Sequence, residues 1–168
     1  MIHIHPMTEQ DAAIFRDVRL RALSDTPLAF GSTYAKESIQ TDQQWEQKAK
    51  KWTQPTQAAT FLGFDGLVCC GIVACCKREE VPHQVGIFSM WVAPQARRRG
   101  LGFQLLAQVE KWAVENGGTE LVLDVTEGNE PASRCYQQYG FEFTGQSGPY
   151  PNDPKLRELW MLKRCNLR

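Results

Sequence analysis

Ile87-Phe88-Ser89-Met90-Trp91-Val92-Ala93-Pro94-Gln95-Ala96-Arg97-Arg98-Arg99-Gly100-Leu101-Gly102 opens the stretch around which the rest of the chain is arranged, and that stretch closes at Gly117-Gly118. The apolar run 87–93 reads as a buried strand, ended by Pro94, which cannot donate to a strand ladder. Past the arginines, Leu101, Leu105, Val109, Trp112 and Ala113 recur at helical spacing up to the glycine pair, where a left-handed residue can stop a helix. Leu121, Leu123 and Val125 then alternate with Val122, Asp124 and Thr126, which predicts a second strand. Strand, helix and strand over this length make a parallel crossover, and such crossovers are nearly always right-handed.

The loop between strand and helix carries the chemistry. The first turn of a helix leaves backbone N–H groups unpaired and concentrates partial positive charge there, so a loop that feeds it is suited to an anion. Gly100 and Gly102 let the main chain approach a ligand closely, and Arg97, Arg98 and Arg99 add positive field. By itself the pattern reads equally as a turn with a solvated basic cluster, because a short G-x-G motif has low specificity.

The flanking residues add a family resemblance. Val92-Ala93-Pro94 followed by Arg97-Arg98-Arg99-Gly100-Leu101-Gly102 resembles the Gln/Arg-x-x-Gly-x-Gly/Ala signature of the GNAT N-acetyltransferase superfamily. Asn129-Glu130-Pro131-Ala132-Ser133-Arg134-Cys135-Tyr136, ending in Tyr139-Gly140-Phe141, is similar to that superfamily's second signature. The likeness is strongest over residues 59–146 and weaker over the first fifty. It implies an α/β (α+β) fold in a single domain over 1–168, with a central mixed, mostly antiparallel sheet of six to seven strands. Two of those strands form a splayed parallel pair, and about four helices flank the sheet. It also implies acetyl-CoA as cofactor and an amine of a small molecule, peptide or protein as acceptor.

Residue roles follow from the same resemblance. The cofactor's arm is expected between the strands ending near Val92 and Val125, bonded by main-chain groups of Met90, Trp91 and Val92. The Met90 amide is expected to face the thioester oxygen. The amides of Arg97, Arg98, Arg99, Gly100, Leu101 and Gly102 are expected to hold the pyrophosphate. Tyr136, a phenol with an ordinary pKa of about 10, is the general acid for the departing thiolate, or else it packs the helix–sheet interface with Tyr139. Asn129 bonds the cofactor arm, caps a helix, or does both. Phe30, Tyr34 and Glu37 are expected to face the acceptor. An alkylamine with a pKa near about 10.4 must lose a proton before it can attack. Glu37, Asp124 or Glu127, directly or through water, or bulk solvent, is left to take it. Where some relatives carry an acid on the central strand, this chain has Ser89.

Composition narrows the alternatives. A chain of 168 residues with 42% hydrophobic and 23% charged residues suits one globular core, and 19 basic against 19 acidic side chains give no global attraction to nucleic acid or membrane. Six cysteines include two adjacent pairs, Cys69-Cys70 and Cys75-Cys76, but neighbours on a strand point to opposite faces and no C-x-x-C occurs, so no metal is expected. With no signal peptide or spanning apolar run, a reducing, cytoplasmic setting is expected, with a homodimer left open. A non-catalytic acyl-CoA-binding or interaction module is the rival reading. A P-loop is disfavoured because no lysine and hydroxyl residue follow the glycines.

The remaining elements are read in order. Ile2 and Ile4 alternate with His3 and His5 in a first strand. Thr8 with Asp11 resembles a cap before a helix with Ile14, Val18 and Ala22 on one face, and residues 28–37 have no clean period. Thr41 with Gln44 starts a helix carrying Trp45, Ala49 and Trp52 that ends before Pro55. Segments 59–64 and 67–77 form a hairpin about Asp65-Gly66. Residues 129–139 form a short helix, and strands at 141–146 and 156–165 are joined by a loop at 148–154.

Overall fold

The structure, a computed structural model, describes residues 1–167. Its strands are β1 (Ile2–Pro6), β2 (Ala58–Asp65), β3 (Val68–Lys77), β4 (Gln84–Val92), β5 (Glu120–Thr126), β6 (Glu142–Tyr150) and β7 (Asp153–Arg164). Its helices are α1 (Ala12–Asp25), α2 (Tyr34–Ser38), α3 (Asp42–Lys51), α4 (Leu101–Glu115) and α5 (Glu130–Tyr139). The seven strands form one sheet in the order β1-β2-β3-β4-β5-β7-β6, and only β4 with β5 runs parallel. This is the mixed, mostly antiparallel sheet expected from the sequence, with α4 as the crossover of the parallel pair.

β3 is buried almost end to end, which requires cover on both sheet faces. Helix α4 covers one of them. A Cβ on Gly63 would lie 2.8 Å from Leu101 Cδ1, and one on Gly71 would lie 3.0 Å from Leu101 Cδ2. The two bare backbones are therefore what let the first turn of α4 settle onto β2 and β3.

Local signals worked where the partner was close in sequence. Thr41 Oγ1 accepts from the Gln44 N–H at 3.2 Å while Gln44 Oε1 accepts from the Thr41 N–H at 2.8 Å, a complete capping box. Thr8 and Asp11 also form a box, but it caps a 3-10 turn at Glu9–Asp11 ahead of α1. The buried face of α1 is Phe15, Val18, Ala22 and Leu23, whereas Ile14 stays 36% exposed. Val18 and Ala22 face the core as expected, and Phe15 takes the place expected for Ile14. In the β2–β3 hairpin Asp65 pairs with Val68, so Gly66 (φ 61°) and Leu67 form the connection, one residue later than expected.

The expected loop at 148–154 is corrected. β6 runs to Tyr150 and β7 starts at Asp153, because β6 is the sheet edge, where Pro149 withholds no needed donor. The tight connection does structural service. Tyr150 Oη donates to the Phe30 carbonyl at 2.7 Å, and Asn152 Nδ2 donates to the same carbonyl at 3.0 Å. The segment between α1 and α2 is thereby fastened across the sheet.

The parallel pair is splayed. β4 and β5 pair only over Gln84–Gly86 against Glu120–Val122. Further along, Ile72 lies opposite Trp91 and Ala74 opposite Phe88, so Ser89 and Met90 together oppose Val73 in a bulge. Ser89 there has φ 57°.

The stop after α4 yields a stability prediction. A Cβ on Gly118 would lie 2.9 Å from Val85 Cγ2 and 3.0 Å from the Ala113 carbonyl oxygen, and the latter cannot swing away. Gly118→Ala is expected to lower stability by about 1–3 kcal/mol through overpacking. Urea unfolding should show a lower midpoint with an unchanged slope.

Candidate active site

Gly100 adopts the left-handed conformation, φ 80°, as the residue that starts α4, and Arg98 precedes it with φ 60°. Among the described residues, the backbone N–H groups from Arg98 through Phe103 have no hydrogen-bond partner, whereas the Arg97 N–H donates to Pro94 and the Gln104 N–H to Gly100. Six consecutive amides therefore converge at a helix N-terminus, the arrangement that binds an anion. A Cβ on Gly102 would stand 3.5 Å from Met90 Cε and 3.9 Å from Cys135 Sγ, which places Gly102 where α4, β4 and α5 meet.

The arginine side chains are arranged differently from the expected free basic cluster. Arg97 is ion-paired to Asp25 and donates from Nε to the Val92 carbonyl at 2.9 Å. Arg99 Nη1 donates to Asp65 Oδ2 at 2.6 Å, and this bond holds the Asp65 carboxyl below its usual range. Two of the three charges are thus already met by carboxylates of other elements, and their role is to brace the loop. Arg98 has no such carboxylate among the described residues. Leu101 is buried, so only its main chain can face a ligand.

From Gly102 the path runs past Met90 into a cleft of about 350 Å³. Phe30, Glu37, Ser89, Met90, Asp124 and Tyr136 are among its lining residues, together with Arg19, Lys48 and Glu158. Tyr136 is brought in by α5, which Asn129 caps by accepting the Ala132 N–H on Oδ1 at 3.4 Å and which Gly140 (φ 119°) ends. The Tyr136 hydroxyl makes no hydrogen bond with another described residue, while burial, helped by Cys135, pushes its pKa upward. The ring meets Phe141 edge-on at 5.9 Å, so packing and cleft exposure coexist in one side chain.

Other expected residues fall elsewhere. Trp91 turns its indole N–H to Asp25 Oδ2 at 3.0 Å, which leaves only its backbone for a ligand, and the Val92 carbonyl is taken by Arg97. Tyr34 is half exposed on α2 and does not line the cleft, nor does Glu127. Phe30 does line it, with the Arg19 guanidinium 4.8 Å from its ring centre. His3 and His5 stack on Phe64, away from the cleft. Of the strand cysteines, Cys69, Cys70 and Cys75 are buried and Cys76 is half-buried, and burial pushes the Cys75 thiol up to about 12.

Glu37 is already engaged by two cations. It lines the cleft, but it is 2% exposed and both oxygens are occupied. Arg19 donates from Nε to Oε1 at 3.1 Å and from Nη2 to Oε2 at 2.9 Å, and Lys48 Nζ donates to Oε1 at 3.1 Å. Burial alone would raise its pKa, yet the two cations overcome that and hold it below the ordinary value. A carboxylate so stabilised is a poor acceptor for an amine proton. Asp124 and Glu158 have the opposite character: burial raises both, Arg78 partly opposes the shift at Asp124, and Asp124 adds to it at Glu158. Arg19, Lys48 and Glu158 were not singled out from sequence. Each is a charged residue on an element read only for its apolar pattern, and nothing local marks which charge turns inward.

Comparison with known proteins agrees with this geometry. The Acetyltransferase (GNAT) family profile matches residues 21–141, and the chain belongs to that family. It is 35% identical over 90 residues to an aminoglycoside N(6')-acetyltransferase type 1 of Salmonella typhimurium, covering 54% of this chain and 52% of that protein. A second such enzyme, from Serratia marcescens, is 35% identical over 69 residues, covering 41% of this chain and 45% of that protein. The chain thus spans about half the length of the curated relatives it matches. Among solved structures, a GNAT-family acetyltransferase of Streptococcus pneumoniae superposes with a TM-score of 0.80 at 25% identity, covering 99% of this chain and 100% of that one. A Salmonella typhimurium acetyltransferase solved with acetyl-CoA shares the fold, with a TM-score of 0.80 at 16% identity over 100% of this chain and 96% of its own.

The Glu37 cluster gives a pH prediction. Because its folded pKa is depressed, Glu37 contributes stability above its unfolded value, near about 4.3, that is lost as pH falls through the folded value. Glu37→Gln is expected to cost about 3 kcal/mol at neutral pH by leaving two cations without their anion. The gap between wild type and variant in melting temperature should close as pH is lowered from 6 to about 3. A gap constant over that range would contradict the assignment.

Proposed function

We propose that this protein transfers an acetyl group from acetyl-CoA to a primary amine bound in the cleft lined by Phe30, Met90, Asp124 and Tyr136. The observation that carries the proposal is the row of unpartnered amides from Arg98 to Phe103, opening at Gly102 into the gap between β4 and β5. Donors in that number at a helix N-terminus suit a diphosphate, and strand edges freed from pairing suit an amide-bearing arm, so the residues present fit acetyl-CoA. When bound, acetyl-CoA supplies the acyl group already activated as a thioester.

The chain's own residues divide the remaining work. Amides of the 98–103 segment hold negative charge, braced by the Arg97–Asp25 and Arg99–Asp65 pairs. The main chain at Met90 and Trp91 lines the gap, and the Met90 N–H serves as the donor toward the oxygen where charge develops. Tyr136 keeps its proton at neutral pH because burial opposes the phenolate, and so can donate it from Oη to a departing thiolate. Asp124 and Glu158, whose carboxyls burial has raised, attract an ammonium group and replace Glu37 as the carboxylates available to take its proton. Asn129 acts through its cap, which fixes the start of α5 and thereby Tyr136. Phe30 supplies the apolar wall. Aminoglycosides, the class named in the curated relatives, are the first acceptors to test.

Two substitutions separate binding from chemistry. Gly100→Glu places a strained residue and a negative charge at the amide row, and calorimetry should show acetyl-CoA affinity weakened about 10-fold or more, ~1.4 kcal/mol or more. Tyr136→Phe should lower turnover by about 100-fold while acetyl-CoA affinity changes little. Full turnover by Tyr136→Phe across pH would remove the general-acid role, and acetyl-CoA binding without transfer to any amine would favour a non-catalytic module.

A further inference from the structure

Ser89 sits at φ 57°, a conformation that costs a non-glycine residue free energy unless something holds it there. The ladder does not, because Ser89 and Met90 occupy the bulge, where β3 offers Val73 alone opposite both. The hold comes from α1. Arg19 Nη1 donates to Ser89 Oγ at 2.7 Å, while Nε and Nη2 of the same guanidinium grip the Glu37 carboxylate of α2. Glu37 is in turn fixed by Lys48 of α3. With its two edges bonded and its face over Phe30 at 4.8 Å, the guanidinium has one orientation available, so the position of Ser89 Oγ is fixed by three helices at once.

We propose that Arg19 is a positioning residue: held by Glu37, it pins Ser89 in the left-handed conformation and thereby sets the direction of the Met90 backbone in the cleft. The proposal rests on the reading of that cleft as an acyl-transfer site. It also accounts for a buried charge cluster that touches the cleft and yet has no carboxylate oxygen free to act on a substrate. Ser89 matters here through its backbone shape, and its hydroxyl serves as the handle by which that shape is held.

The test compares Ser89→Ala, Ser89→Gly and Arg19→Lys in the full chain, each first checked for a cooperative thermal melt. Alanine has no handle and is disfavoured at positive φ, whereas glycine adopts that conformation unaided. Crystal structures should show position 89 leaving positive φ in Ser89→Ala and Arg19→Lys and keeping it in Ser89→Gly. With an aminoglycoside as acceptor, Ser89→Ala should lower kcat about 10-fold with the KM for acetyl-CoA changed less than about 2-fold, and Ser89→Gly should recover most of that loss. Equal loss in the alanine and glycine variants, or positive φ retained in Ser89→Ala, overturns the proposal. If wild type acetylates no amine, the acyl-transfer reading fails, and the variant structures still decide whether Arg19 pins Ser89. Should Arg19→Lys not fold, the two Ser89 variants alone suffice.

Discussion

Beyond Gly86, β4 and β5 stop sharing hydrogen bonds, and the rest of the molecule is built around that separation. A parallel pair that stayed in register to its ends would leave no opening in the sheet. The bulge at Ser89 and Met90 turns β4 aside, while β5 stays bound to β7 along its length. The gap opens at the end of β4 that feeds the Gly100 turn, so free strand edges and free helix-start amides face one continuous path. Gly102 makes the junction, with no side chain of its own between Met90 and Cys135.

Charge beside the loop and the cleft is largely paired internally, which changes how the basic loop is understood. Arg97 and Arg99 are bound to Asp25 and Asp65, so the positive field at the loop comes from Arg98 and from amide dipoles at the start of α4. The bracing ties the loop to the end of α1 and to the β2–β3 turn. A similar division holds in the cleft. Glu37 is neutralised by Arg19 and Lys48, while burial raises Asp124 and Glu158, which line the same cleft.

Much of the frame was legible because its signals are local. Pro94, the glycines and the helical repeat after Leu101 placed β4, the loop and α4, and Asn129 with Gly140 placed α5 and so Tyr136. The differences lie where a local pattern leaves the tertiary face or edge open. Ile14 in place of Phe15 as a core residue of α1, the one-residue shift of the β2–β3 turn, and the loop assigned to 148–154 all depend on which face or edge the finished sheet presents. Pro149 sits within β6 because that strand is the sheet edge, where its missing N–H costs no ladder bond.

What the sequence by itself determined was the order of elements and the glycine-bearing entry into α4, because caps, turns and apolar periodicity are set by residues within a few positions of one another. What only the tertiary structure decided was which charges pair. Arg19 meets Ser89 across 70 positions and Arg97 meets Asp25 across 72, and no local pattern encodes such meetings. A carboxylate's chemistry follows from the cations packed around it, so Glu37 looked like a candidate base in the chain and is an ion-paired brace in the fold.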